Sequence, residues 1–420
     1  MSDIGIIGAR GGLTVPVRTV AMLSLHTSPL SQPGVGDAGG MNVYVKELSA
    51  GLAHAGVDCT VYTRRWNSSL PDQVDLEPGL RVVHVDAGGF DLPKEALPEV
   101  VDEFADGVRA DIDRRGGVDL LHANYWLSGV AAHRLKHELG LPLVATFHTL
   151  ARVKAEAGDP EPERRVRAEA EIVGCADAIL ASCSEEAQQF RRLYGQPPGR
   201  IEIVAPGVEH AFFAPGDPTG ARRGLGLGPE PMLLFVGRIQ PLKGADLAVR
   251  ALAALADRTT RLVIIGGASG LDGSEEVVRL RQLIDQLGLS GRVQFVPPQP
   301  HHLLSSWYRA ADVVVVPSRS ESFGLVALEA AACGTPVVAA AVGGLRTLVD
   351  HGHTGFLVEG RDPAVFASYI DEILGNERLA WEMSISAATR SRRYTWSLAA
   401  ARLRRLCDDL TVGRLVACRG

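Results

Sequence analysis

Two carboxylates, Glu321 and Glu329, stand eight residues apart in the stretch Ser318–Gly344, SRSESFGLVALEAAACGTPVVAAAVGG. Two cations, Arg238 and Lys243, stand five apart in GRIQPLKG. Arginine offers phosphate oxygens a planar fork, and lysine offers a point charge. Carboxylates cannot hold a phosphate by charge, but they accept hydrogen bonds from hydroxyls. Together the four side chains suit a ligand with both a diphosphate and sugar hydroxyls, as a nucleotide sugar has. Gly39-Gly40 closes a loop and opens a helix, where glycine lets backbone N–H groups approach an anion. Taken singly, the cation pair reads as solvated surface charge and the glycine pair as a plain turn.

Position gives these residues their weight. Val313–Val316 reads as a buried parallel strand, and a helix follows from near Gly324, capped by Ser320 or Ser322. That helix stops at Gly334, and Pro336 opens the next strand. A helix N-terminus at the carboxyl end of a parallel strand is where α/β proteins bind phosphates. Arg238 and Lys243 follow another strand, Met232–Val236. Strands alternate with helices from Val20 to Val204, and again from Met232 to Leu374, which predicts two parallel, doubly wound sheets. Pro206-Gly207, Pro215-Gly216 and Pro218 punctuate the join. His122, Asn124, Tyr125, Thr146 and His148 fall at strand ends of the first half, beside the cleft two such sheets would form. Gly266-Gly267-x-Ser269-Gly270 alone is a weak loop signal. Ser397–Leu410 reads as a basic amphipathic helix packed across the base of the cleft.

A chain of 420 residues supports two or three domains. The net charge of −6 argues against general nucleic-acid binding. Six scattered cysteines without a C-x-x-C fit a reducing cytosol better than a disulfide framework or a zinc site. No apolar run reaches membrane-spanning length. Met1–Val17 lacks the apolar core of a signal peptide and reads as a loose extension. HExxH, GxSxG and Walker patterns are absent, so zinc-hydrolase, serine-hydrolase and ATP readings lack support.

With GDAGGMNVYV (36–45) and GRIQPLKG (237–244), ESFGLVALE resembles the E-x7-E signature of the retaining family-4 glycosyltransferases. The likeness runs from Thr19 to about Leu410, and HTSPLSQPGVGDAGGMNVYV and YWLSG are most similar to the branch acting in mycothiol synthesis. The resemblance implies an α/β GT-B fold, two Rossmann-like domains facing across a cleft. An acceptor domain would take 1–207 plus 397–420, and a nucleotide-sugar domain 208–396. It implies catalytic roles for Arg238, Lys243 and Glu321. Gly39, Gly40, Asn124, Phe323, Gly324, Leu325 and Glu329 would bind the donor, Glu329 through the ribose hydroxyls. Lys94, Tyr125, Thr146 and Arg165 match positions that grip an acceptor phosphate, although Lys94 and Arg165 alone read as surface cations. No metal or other cofactor is implied, because cations and helix dipoles carry the charge stabilisation. The expected partners are a small donor and a small anionic acceptor, in the cytoplasm, with a homodimer left open.

Three departures from that branch lie on the donor-sugar and acceptor side. Asn124 stands where a histidine is expected, Ala145 replaces another histidine beside a bulky Phe147, and Ala155 replaces an asparagine ahead of a shortened loop. They imply the same chemistry on different substrates, as in moving a lincosamide-type octose to ergothioneine. Asn124 would leave room beyond C6 of the sugar, and Phe147 would face the trimethylammonium group. The alternative is an N-acetylglucosaminyl transfer from UDP-GlcNAc to inositol 3-phosphate. Neither UDP nor GDP is favoured by the residues.

Overall fold

The protein was analysed as a computed structural model that describes residues 16–34, 36, 38–269 and 273–418. Most of the N-terminal extension (1–15) and Gly270 lie outside these. The first sheet takes β1 (Thr19–Leu23), β2 (Asp58–Arg64), β3 (Gln73–Glu77), β4 (Leu80–Val85), β5 (Leu120–Asn124), β6 (Leu143–Thr146), β7 (Ala178–Ala181) and β8 (Arg200–Ile203). Its order is β3-β4-β2-β1-β5-β6-β7-β8, and only the β3–β4 pairing is antiparallel. The second sheet takes β9 (Met232–Val236), β10 (Arg261–Ile265), β11 (Val293–Val296), β12 (Val313–Val316), β13 (Val337–Ala340) and β14 (Gly355–Val358), in the parallel order β11-β10-β9-β12-β13-β14. Both strand orders reverse at a central strand, leaving the crevice at the carboxyl edge where α/β sheets bind ligands.

Burial explains which strands were readable. The four valines of β12 are all buried, because helices cover both faces of its sheet. Each such side chain contributes roughly 1.5–3 kcal/mol relative to exposure. The short polar edge strand β3 and the four-residue β14 carry no comparable pattern and went unpredicted. The fifteen-residue helix Glu377–Ser391, also unpredicted, buries only Met383, Ala387 and Ser391.

The two halves are joined by adjacent strands of chain. Val208 N–H donates to the Tyr394 carbonyl at 3.2 Å. The helix Trp396–Thr411 then returns to the first half, where Trp396, Ala400 and Leu403 share a core with Val45, Leu48 and Leu52. Cys59, Cys183, Cys333 and Cys407 are buried thiols. Cys175 and Cys418 depart from the expectation of scattered cysteines, since the fold brings their sulfurs together across 243 residues of sequence. No spacing rule reads a partnership that long.

Candidate active site

A cleft of about 280 Å³ opens between the carboxyl edges of the two sheets. Arg238 reaches it from the turn after β9, and its Nη1 donates to Ser269 at 3.2 Å. Lys243 ends a short 3-10 turn, Pro241–Lys243, and its Nζ pairs with Glu321 at 2.6 Å. Ser318 also donates to Glu321, at 3.3 Å. The two groups expected to flank phosphate and sugar thus neutralise one another.

The helix after β12 runs Leu325–Ala332, and its N-cap is Gly324 at φ 102°. Neither Ser320 nor Ser322 caps it, contrary to expectation. Gly324 takes a left-handed conformation, and the Ser322 hydroxyl crosses the cleft to donate to the His148 carbonyl. Ser182 of the first half in turn donates to the Ser322 carbonyl at 3.0 Å. Phe323 is buried, whereas Leu325 reaches across toward Gly40, where an added Cβ would stand 3.2 Å from Leu325 Cδ1.

Glu329 is buried one turn into that helix. It accepts from Tyr308 and pairs with His301 Nε2, both at 2.7 Å. Burial works to lower the His301 pKa, but the Glu329 charge and hydrogen bond outweigh it and hold the ring above its ordinary value. His301 and Tyr308 were not read as site residues. The only sequence signal was a polar histidine opening a helix at the carboxyl side of a strand.

The facing wall begins at the helix Gly40–His54. Asn42 Oδ1 accepts from Gly39 N–H at 2.9 Å, holding the turn. An added Cβ at Gly39 would lie 3.5 Å from Arg238 Nε, so glycine brings the helix N-terminus against the guanidinium of the other half. Two helix N-termini, at Gly40 and Leu325, thus meet beside Arg238 and Lys243. Helix N-termini carry unsatisfied N–H groups and a partial positive charge, so the four features make one anion site.

Deeper in the first half, Tyr125 (φ 75°) and His148 (φ 62°) are the non-glycine residues with left-handed backbones among those described. Such conformations cost energy and gather at functional sites. Register sets Asn124 opposite Thr146 at the ends of β5 and β6. His148 Nε2 bonds Asn124 Oδ1, and His122 Nε2 bonds the Thr146 hydroxyl, both at 2.9 Å. His26 packs on Tyr125 with ring centroids 4.2 Å apart and their planes tilted by 36°. Its pKa is held well below the ordinary value, first by burial and then by Lys94, His148, Arg238 and Arg165. Lys94 and Arg165 thus stand near the His26–Tyr125 pair.

Three expectations need correction. Phe147 does not face the cleft. It is 1% exposed and packs on Phe190 at 5.4 Å, because alternation along the chain turns it away from the side that Thr146 and His148 present. Asn124 is fully buried beneath His148 and does not line the cleft, so any effect on donor binding passes through that ring. Arg165 is no surface cation. It is 2% exposed and holds Glu161 at 2.9 Å, Glu169 at 2.7 Å and Tyr125 Oη at 3.2 Å. Glu161 also takes Lys154, so one carboxylate absorbs two cations.

Burial pushes both His122 and His148 down to about 3. Both are therefore neutral in the native protein near pH 7. Unfolded, each would take its proton near 6.5. Between those values the unfolded chain binds more protons, so stability is full above about pH 6.5 and falls as the pH drops toward 3. The steepest slope expected for His122 is about 1.4 kcal/mol per pH unit. Urea unfolding at pH 7 and pH 5 checks this, and His122→Gln should flatten the difference. Equal stability at both values in the parent protein would contradict it.

Among the described residues, no helix is long and apolar enough to cross a membrane. Residues 199–390 match the family model for glycosyl transferases group 1, and residues 38–212 match glycosyltransferase family 4. The D-inositol 3-phosphate glycosyltransferase 2 of Catenulispora acidiphila is 47% identical over 398 residues, covering 91% of this chain and 93% of that protein. The D-inositol 3-phosphate glycosyltransferase of Xylanimonas cellulosilytica is 49% identical over 396 residues, covering 91% and 94%. A solved sucrose-phosphate synthase from Thermosynechococcus elongatus superposes with a TM-score of 0.88 at 33% identity, over 94% of this chain and 99% of that one.

The facing doubly wound halves, with a cationic cleft between their carboxyl edges, define a glycosyltransferase of GT-B architecture. The chain belongs to the group 1, family 4 glycosyltransferases.

Proposed function

We propose that this protein transfers N-acetylglucosamine from UDP-GlcNAc to inositol 3-phosphate, retaining the anomeric configuration. The names of relatives at 47–49% identity support the acceptor. The observation that carries the reading is a second pair of cations, Lys94 and Arg165, both near enough to His26 to lower its pKa, with Arg165 bonded to the hydroxyl of Tyr125 that packs on His26. One anion site would hold the donor diphosphate, and the other the acceptor phosphate.

In this reading Arg238, Lys243 and the two helix N-termini take up the charge that grows on the departing diphosphate. Glu329, held by His301 and Tyr308, accepts from the ribose hydroxyls. Glu321 releases Lys243 to the phosphate and turns to the sugar hydroxyls. The acceptor hydroxyl attacks from the face the nucleotide leaves, and the departing phosphate oxygen takes its proton. Divalent ions are not required, so omitting them from the assay should leave the rate unchanged.

A second reading, transfer of an extended sugar to a zwitterionic thiol such as ergothioneine, is favoured by Glu161. Its carboxylate already occupies Lys154 and Arg165, where an acceptor phosphate would have to compete. Both readings are tested by measuring UDP and GDP release over a matrix of donors and acceptors. Saturable turnover with UDP-GlcNAc and inositol 3-phosphate supports the first. Turnover confined to GDP-octose with the betaine, or a clear GDP preference, replaces it with the second.

A further inference from the structure

His133 and His137 lie one turn apart on the helix Trp126–Leu139, on a face turned away from the cleft. Residues at i and i+4 share a helix face, and their rings stand 5.0 Å apart. Cys175 follows the helix Glu163–Val173, and Cys418 arrives on the tail beyond the returning helix. His137 Nε2 lies 3.1 Å from Cys418 Sγ and 3.4 Å from Cys175 Sγ, and His133 Nε2 lies 3.6 Å from Cys418 Sγ. All four ligand atoms fall within 4.8 Å of one another.

A disulfide accounts for the two sulfurs but not for the imidazoles. It has no proton to donate and its sulfurs accept poorly, so it gives two Nε2 atoms little reason to converge on it. A metal bound by two thiolates and two neutral imidazoles accounts for all four. Tetrahedral zinc keeps sulfur at about 2.3 Å and nitrogen at about 2.0–2.1 Å, which places neighbouring ligand atoms roughly 3.6 Å apart. The nitrogen–sulfur separations, 3.1, 3.4 and 3.6 Å, are close to that edge, while the two sulfurs stand within bonding distance and must part for an ion to enter between them.

The surroundings hold the ligands in place. Lys136, the neighbour of His137, donates to the Cys175 carbonyl at 2.6 Å and pairs with Asp177 at 2.8 Å in a buried contact. Asp177 then accepts from Val416 N–H at 2.6 Å, which seats the tail two residues before Cys418. His137 is exposed and His133 and Cys418 half-buried, so an ion has a way in.

We propose that His133, His137, Cys175 and Cys418 form a structural zinc site, of the Cys2His2 type, that fastens the C-terminal tail to the back of the first domain. The two thiols lose their protons on binding, and no electrons are transferred. The site stands apart from the transfer chemistry. Its work is to anchor the segment that follows the returning helix to the first half.

The test uses the full chain, purified under reducing conditions, equilibrated with zinc and then desalted. Elemental analysis should find about one zinc per chain. Cobalt(II) in its place should show the visible bands of a tetrahedral thiolate complex. His137→Ala and Cys418→Ser should each lose both signals while keeping transferase activity, since neither residue touches the cleft. Adding a chelator should lower the melting temperature of the parent protein and leave both variants unchanged. The proposal is overturned if the reduced parent protein holds no zinc. It is equally overturned if the zinc-treated protein has an intact mass two hydrogens lighter, the mark of a Cys175–Cys418 disulfide, or if both variants keep the metal.

Discussion

Lys243→Ala should reduce kcat/KM by roughly 10²–10³. The side chain supplies a cation at the site where two helix N-termini and Arg238 already converge. Removing one preorganised charge from such a site costs about 2.7–4 kcal/mol of transition-state stabilisation. The variant also takes away the partner of Glu321, whose carboxylate is mostly shielded and now bonded at 2.6 Å. An unpaired carboxylate next to a diphosphate repels it, so the donor KM should rise while kcat falls. Glu321→Gln separates the two effects. It frees Lys243 without leaving a charge behind, so it should weaken sugar contacts but spare most of the diphosphate binding. Steady-state kinetics with the donor varied, alongside thermal melts to confirm folding, decide the matter. If Lys243→Ala stays within tenfold of the parent, the cation has no part in the chemistry.

Gly343→Ala should be nearly as damaging, although residue 343 binds nothing. Its φ is 46°, a conformation that side chains disfavour. An added Cβ would fall 1.9 Å from the Glu321 carbonyl oxygen. Gly344 N–H donates to that same carbonyl at 3.0 Å, so the turn after β13 is the support under the Glu321 loop. The methyl group must push Glu321 and Ser322 out of place. That would break the Lys243 pair and the hydroxyl bridge from Ser322 to His148 together. A misplacement of about 1 Å can cost on the order of 10²-fold in rate. The strain should also cost about 1–3 kcal/mol of stability. Urea unfolding and kcat measured on one preparation test both parts. Unchanged kcat would mean that the loop adapts and that its position is not critical.

The reaction class was legible because its chemistry is local. GRIQPLKG and ESFGLVALE each place their charged residues at a strand end, and the parallel-sheet pattern says those ends meet at one edge. Arg238, Lys243, Gly39, Gly40 and Leu325 do line the cleft. What failed depended on direction or on distance. Phe147 sits between two cleft residues in sequence, yet the strand's alternation turns it into the core. Asn124 is correctly placed at a strand end, but the strained backbone of His148 carries that ring over it. His26, His301 and Tyr308 gain their roles from partners up to more than a hundred residues away, among them Arg165 and Arg238 for His26. The same holds for Cys175 and Cys418, which no local pattern could bring together. Glu161 was passed over because a carboxylate in a loop is ordinary until the fold sets Lys154 and Arg165 on either side of it.

The central claim is that one cleft holds a nucleotide sugar and an anionic acceptor together and transfers the sugar from the face the nucleotide leaves. Proton NMR of a running reaction between UDP-GlcNAc and inositol 3-phosphate tests it most directly. The donor's anomeric signal should be replaced by a product signal with the small H1–H2 coupling of an α-glycoside, in step with the release of UDP. A β-linked product, or hydrolysis of the donor with no glycosylated inositol phosphate, would contradict the account.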